Sequence, residues 1–199
     1  MLLGKRQKRE ITEYDSNISL NFNSAEFLLP GMLSKTLKTF LDKNKIRYEL
    51  IEHRTVYTAL DKAATLKVKP AIVGKTVIVS LNRKNHAIGL IPASKNLDKQ
   101  KVLTAFNKLR QKSKEKKYKK IDFADEKWMK ANIKGVKLGA TPPFGAFYKL
   151  PFFIDASLAK QSKIIINAGE YELSLKLSPD GLIKLNPNTL RGSFSMAKK

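Results

Sequence analysis

Two short segments carry the residues best suited to chemistry. The first is Gly74-Lys75-Thr76, which leads into the apolar run Val77-Ile-Val-Ser-Leu81. The second is Gly139-Ala140-Thr141-Pro142-Pro143-Phe144-Gly145, a stretch whose glycines and prolines make a rigid loop. A lysine at a strand head can hold an anion or a carbonyl, and a rigid loop can present backbone N–H groups to developing negative charge. On residue type alone Lys75 reads first as a solvated strand-end lysine, and the 139–145 segment reads equally as an ordinary proline turn. Gly74-Lys75-Thr76 resembles the end of a phosphate-binding loop, but the earlier glycine is missing and a strand follows instead of a helix. There is no cysteine, and no Gly-x-Ser-x-Gly elbow occurs. The two histidines, His53 and His86, are not spaced as a metal pair on one helix.

The elements that must position these segments follow from periodicity. Leu33, Leu37, Phe40 and Leu41 fall on one face of a helix ending near Asn44. Tyr48, Leu50 and Ile51 lie in a short strand that ends at His53. Thr58 and Asp61 have capping-box spacing and open a helix through Ala63, Ala64 and Leu66, which stops before Pro70. Lys75–Leu81 and His86–Ile91 read as a β-hairpin turning at 82–85. A helix begins at 96–98, with Val102, Phe106 and Leu109 facing inward. Another surrounds Trp128 and Met129, both read as core, and ends near Gly135. Residues 152–154, 164–166 and 171–177 read as strands, and Ser178-Pro179 opens a last short helix. The class is α+β with a mixed, largely antiparallel sheet flanked by helices. Residues 1–31 read as a partly ordered arm and 32–199 as one domain, with no internal repeat.

Charge narrows the partners. Lys and Arg total 39 against 17 Asp and Glu, a net +22. Such an excess attracts polyanions, so nucleic acid is the expected partner. Residues 108–120 hold eight Lys or Arg and one Glu. Lys108, Arg110, Lys112, Lys114, Lys116 and Lys117 are the candidate phosphate contacts, the alternative being a solvated loop. No apolar run approaches the roughly 18 residues of a membrane span, and the start lacks the apolar centre of a signal peptide. No membrane partner and a cytoplasmic location are expected.

Three groups of residues in order carry a resemblance. They are Tyr48–His53 with Tyr57-Thr58 and Ala63-Ala64; Lys75–Val79 with Leu90–Ala93 and Leu97-Asp98; and Gly135–Gly145 with Phe153–Asp155 and Ile166–Gly169. Together, over roughly residues 33–190, they resemble the YbaK/ProX aminoacyl-tRNA deacylases, which include the editing domain of bacterial-type prolyl-tRNA synthetases. The resemblance implies a barrel-like mixed sheet and hydrolysis of the ester joining a mischarged amino acid to the tRNA 3′ end. It implies no cofactor and tRNA as partner, with an aminoacyl-tRNA synthetase as a second candidate. A catalytic site of Lys75, Gly139, Ala140, Thr141 and Pro143 follows from it, with the Ala140 and Thr141 amides as donors to the ester oxygen.

The same resemblance makes His53, Tyr57, Thr58, Pro142, Phe144, Gly145, Asp155 and Gly169 the candidate substrate contacts. His53 also reads as a structural hydrogen-bonded residue, Thr58 as a helix cap, and Asp155 as a capping residue instead of a partner for Lys75. Ala140 departs from the pattern, where a second glycine is often found. A synthetase catalytic domain does not fit in 199 residues, so editing in trans is expected. The alternative is the same fold binding tRNA or another RNA without turnover.

Overall fold

The computed structural model describes residues 33–186 and 188–198. The expected arm, 1–31, lies outside them. In chain order the elements are α1 (Lys35–Lys43), β1 (Tyr48–Glu52), α2 (Ala59–Thr65), a 3₁₀ turn (Pro70–Ile72), β2 (Gly74–Leu81), β3 (Asn85–Pro92), β4 (Lys95–Leu97) and α3 (Lys99–Lys112). They continue with β5 (Ile121–Phe123), α4 (Glu126–Asn132), α5 (Gly145–Tyr148), β6 (Phe152–Asp155), α6 (Ala156–Ala159), β7 (Ile164–Asn167), β8 (Leu173–Leu177), α7 (Pro179–Leu185), β9 (Leu190–Gly192) and β10 (Ser195–Ala197).

A five-stranded sheet runs β5-β2-β3-β6-β9, and a three-stranded antiparallel sheet runs β1-β8-β7. In the larger sheet β5, β2 and β3 are antiparallel, while β3-β6 and β6-β9 are parallel. β10 and β4 form a two-stranded ribbon. The α+β class with a mixed, largely antiparallel sheet is what the sequence indicated. The sheets do not close into the expected barrel, however. They meet at one parallel bridge, Val73 to Ile165. Beyond it β2 pairs with β3 and β5 and not with β7.

β2 and β3 are covered on both faces, which is why they read as continuous apolar runs and not as alternation. Ile78, Ile88, Leu90, Phe152 and Ile154 face the main core with Ile164, Ile166, Leu173, Leu175 and Leu177 of the smaller sheet. Leu37, Leu41, Leu158 and Leu182 close that core from the helices. On the opposite face Val79, Ala87, Ile91 and Phe153 pack against Val102, Leu103 and Phe106 of α3. Gly89 is required here: a Cβ would lie 2.0 Å from Phe153 Cζ, so the ring occupies the space a side chain would take.

Asp98 caps α3, accepting from the Lys101 amide at 3.1 Å, so that helix starts where expected, with Asn96 and Leu97 in β4. The strand expected from Tyr171 starts two residues later, at Leu173. Of the shortest elements β6 and β7 were expected, whereas β4, β5, β9, β10, α5 and α6 were not foreseen.

Candidate active site

A cavity of about 290 Å³ opens where the head of β2 meets the end of β7 and the start of α2. Lys75 and Thr76 line it from β2, and Gly139 and Ala140 from the loop. Tyr57, Thr58 and Lys62 line it from α2 and the segment before it, and Asn167, Glu170 and Tyr171 from the β7–β8 connection. The structure thus brings Lys75 and the Gly139 loop to one chamber.

Each lining residue has a local reason for its place. Lys75 is half-buried, and its Nζ donates to the Lys95 carbonyl at 2.8 Å, which ties it to β4 and leaves two donors. Burial holds its pKa below the usual lysine value, and the charge of Lys198 adds to that. Gly139 sits at φ +85° in a turn closed by the Ala140 amide donating to the Lys137 carbonyl at 2.9 Å. A left-handed φ at the third turn position favours glycine. Gly169, at φ +101°, continues the hold: its amide donates to the Ala140 carbonyl at 3.0 Å, and its carbonyl accepts from the Lys137 amide at 2.8 Å. Thr58 caps α2, its Oγ1 accepting from the Asp61 amide at 3.1 Å and donating to Asp61 Oδ2 at 2.7 Å. Tyr57 is 71% exposed at the rim, edge-on to Tyr171 at 4.9 Å between centroids.

The geometry revises the choice of amide donors. The Ala140 N–H is spent on Lys137, so it is not free for an ester oxygen. The Gly139 and Thr141 N–H groups have no acceptor among the described residues, and of these two residues Gly139 lines the cavity. Thr141, Pro142, Pro143, Phe144 and Gly145 are all buried, with Phe144 in the main core and Gly145 opening α5. They support the turn and do not line the chamber.

Asp155 also stands apart. Its Oδ1 accepts from the Ser157 amide and hydroxyl and its Oδ2 from the Phe194 amide and Ser195 hydroxyl, so it caps α6 and staples the segment before β10. Burial pushes its pKa up, but those four hydrogen bonds outweigh burial and hold it low. It does not orient Lys75. His53 is tied by Nδ1 to the Arg54 carbonyl at 2.9 Å and by Nε2 to Ser174 Oγ at 2.8 Å, and it does not line the cavity. Its pKa is depressed, chiefly by burial.

Sequence reasoning missed Lys62 and Asn167. Lys62 is only 4% exposed, and its Nζ donates to Asn167 Oδ1 at 2.6 Å. Asn167 Nδ2 in turn donates to the Gly139 carbonyl at 3.0 Å. Burial lowers the Lys62 pKa to about 8. The sequence did hold a signal: Ala59, Lys62, Ala63 and Leu66 share one helical face, and the three apolar members pack in one cluster.

Among the described residues neither Lys62 nor Lys75 has a carboxylate partner, while Glu170 is paired with Lys137 at 2.8 Å. Two lysines without counter-ions at one small cavity suit an anionic or strongly polarised occupant.

The lysine-rich segment lies elsewhere. β5 pairs with the far end of β2, and Asn82 Oδ1 accepts from the Lys119 and Lys120 amides. Lys75 and Leu81 are six residues apart on β2, about 20 Å along a strand. Lys108, Lys112, Lys114, Lys116 and Lys117 are exposed. Arg110 is not a free cation: it pairs with Glu115 at 2.7 Å and lies 4.2 Å from the Tyr118 ring centroid. A larger groove of about 750 Å³ runs beside it, past the stacked rings of His86 and Trp128 at 3.6 Å, and holds none of the candidate catalytic residues.

Comparison with known proteins points the same way. The family model described as "Aminoacyl-tRNA editing domain" matches residues 53–185. The Enterococcus faecalis protein named "Putative Cys-tRNA(Pro)/Cys-tRNA(Cys) deacylase EbsC" is 22% identical over 138 residues, 69% of this chain and 77% of that protein. A crystal structure of a hypothetical protein matches with a TM-score of 0.66 at 19% identity, over 81% of this chain and all of that one. A crystal structure of a protein named as a "putative trans-editing enzyme for prolyl tRNA synthetase" matches at 0.61 and 16%, over 83% of this chain and all of that one.

Proposed function

The chain belongs to the aminoacyl-tRNA editing domain family, and from that membership we infer that the Lys75–Gly139 cavity is where it hydrolyses mischarged aminoacyl-tRNA. The protein is an aminoacyl-tRNA deacylase, a hydrolase of the ester between amino acid and terminal ribose. The observation that carries the site is the convergence of Lys75 and the Gly139 turn on one cavity of about 290 Å³.

Water adds to the ester carbonyl, the oxygen gains negative charge, and the intermediate collapses to free amino acid and the ribose hydroxyl. Donors fixed before the reaction stabilise that charge without reorganising. Lys75, with two donors to spare, and the Gly139 amide are the groups that fit. An aminoacyl ester is already activated, so a positioned water suffices and no nucleophilic side chain is required.

The chamber is small for a ligand site, which favours a small amino acid: alanine, serine or cysteine. The name of the Enterococcus relative supports cysteine on tRNA(Pro) as the first to test. One methyl group is worth only about 1–3 kcal/mol in discrimination, so larger residues must be refused by shape. Editing in trans, beside a prolyl-tRNA synthetase, is supported by the name given to one structural relative. Among the described residues no helix is long and apolar enough to cross a membrane. A tRNA substrate supports a cytoplasmic location, where translation takes place. Lys108, Lys112, Lys114, Lys116 and Lys117 hold tRNA phosphates away from the chamber, with Arg110 shaping the loop that carries them.

The test is a panel of alanyl-, seryl-, cysteinyl- and prolyl-tRNA(Pro) incubated with the wild type and Lys75→Ala. Release of a small amino acid by the wild type, lost in the variant, is expected. No release from any member would overturn the assignment.

A further inference from the structure

One buried amine at the cavity takes no part in the chemistry assigned to Lys75 and Gly139. Lys62 lies on α2, is 4% exposed, lines the cavity and has no carboxylate within reach among the described residues. Burying an uncompensated cation is expensive, so such a lysine is retained at a cost. Its single hydrogen bond leads to Asn167, and the Asn167 amide leads to the Gly139 carbonyl. The Thr141 carbonyl lies 3.5 Å from the same amide nitrogen. One side-chain relay therefore joins α2, the end of β7 and the turn whose path sets the Gly139 N–H.

We propose that Lys62 is a positioning residue for deacylation: through Asn167 it clamps the Gly139–Thr141 turn, and its charge faces the ester from α2 while Lys75 faces it from β2. The proposal rests on the deacylase reading of the cavity. Removing Lys62 frees the Asn167 carboxamide to rotate, and the turn loses its anchor on the cavity side. The backbone bonds among Lys137, Ala140 and Gly169 still hold the turn's base, so the turn survives with its reactive face less defined.

Titration separates this role from a purely structural one. Burial brings the Lys62 pKa down to about 8, so its charge is present below that pH and lost above it. The other groups at this cavity are Lys75 from β2, Glu170 and Tyr171 from the β7–β8 connection, and Tyr57 ahead of α2. Asp61 on the same helix is bonded to Thr58. His53 feels the Lys62 charge but titrates below its ordinary value of 6.5, so its limb lies apart. The wild-type rate then falls as pH rises through about 8. The free substrate's α-amino group titrates identically for every variant, so its limb in kcat/KM is common to all of them and cancels in the wild-type-to-variant ratio.

The experiment measures kcat and KM from pH 6.5 to 9.5, corrected for spontaneous ester hydrolysis. It uses whichever of alanyl-, seryl- and cysteinyl-tRNA(Pro) the wild type turns over fastest. Lys62→Met is expected to lower kcat about tenfold at pH 7 with KM within about twofold, and to remove the limb near pH 8. Asn167→Leu should lower kcat at pH 7 but keep the limb, since it breaks the relay and leaves the Lys62 charge, and the double variant should be no slower than Lys62→Met. Lys62→Arg should restore much of the rate and keep it flat through pH 9.5. Should Lys62→Met fail to fold, Asn167→Asp carries the test: a carboxylate beside Lys62 moves the limb to higher pH. A wild-type limb unmoved in Lys62→Met, or unmoved in Asn167→Asp, would overturn the proposal. Failure of the wild type to hydrolyse any of the substrates would instead sink the deacylase reading beneath it.

Discussion

The two ends of β2 use lysine in opposite ways. At its head, Lys62 and Lys75 are buried or half-buried, held by a carboxamide and a carbonyl, and shifted toward neutrality by loss of water. At its far end, Lys112, Lys114, Lys116 and Lys117 stand in solvent, and Arg110 is paired with Glu115 and Tyr118. In water a unit charge acts weakly and salt screens it beyond about 10 Å, so several must act together; in a dry cavity one charge acts strongly on the bond beside it. The far end is therefore suited to gathering a polyanion and the head to chemistry on one bond. Lysine count does not separate the two. Burial does.

The sharpest way to break the contrast is to remove one lysine from the head and several from the far end. Lys75→Ala should lower kcat/KM by about 10²–10³, the usual loss for one donor to a developing oxyanion. Replacing Lys112, Lys114, Lys116 and Lys117 together with Ala should leave kcat unchanged and raise KM. The salt slope of tRNA binding should flatten by roughly 0.7–0.9 for each phosphate no longer neutralised. If the multiple variant instead lost kcat, or bound tRNA with an unaltered slope, the division of labour would fail.

Stability offers the next test. Unfolded Lys62 titrates near 10.5 and folded Lys62 near 8. Between those values the unfolded chain carries the extra proton, so stability rises with pH across that window. Below pH 8 the buried charge costs on the order of 3 kcal/mol. The Tm of the wild type relative to Lys62→Met should climb between pH 7.5 and 10. Parallel Tm curves would show that Lys62 is not buried as described.

Smaller effects are expected where backbone or surface alone is touched. Gly139→Ala meets nothing within 4 Å, so its cost is the strain of φ +85°, about 1–2 kcal/mol in denaturant unfolding. A loss much larger would mean that the turn is packed more tightly than its open surroundings suggest. Arg110→Ala should cost about 1 kcal/mol or less, since a partly exposed pair and one ring contact are each worth little.

How much of this was legible depended on whether a residue's role was local. β2 and β3 stood out because both faces are covered and the apolar runs are unbroken. α2 announced itself through the Thr58 cap, and α3 through Val102 and Phe106 on one helical face. Lys75 and the Gly139 turn were singled out by the family resemblance; on residue type alone they read as a solvated strand-end lysine and a proline turn. The strands β4, β5, β9 and β10 were not legible, because three-residue strands are held by partners distant in sequence, such as Ser195 opposite Leu97. Lys62 was hidden for the same reason: a helical lysine after Asp61 reads as solvated, and only the approach of β7 and the turn buries it. Asp155 shows the converse. Its type and place left a partner for Lys75 and a helix cap equally open; the cap is what forms, with the Ser157 and Ser195 hydroxyls and two amides taking both oxygens.

Everything proposed for the cavity requires that the ester sit between Lys75 and the Gly139 turn. A crystal structure with a 3′-deoxy-3′-aminoacylamido-adenosine, whose amide cannot be cleaved by this chemistry, would locate it. The acyl carbonyl is expected in the cavity within hydrogen-bond reach of Lys75 Nζ, with the amino-acid side chain enclosed there. An analogue seated in the groove beside His86 and Trp128, with the Lys75 cavity empty, would contradict that placement.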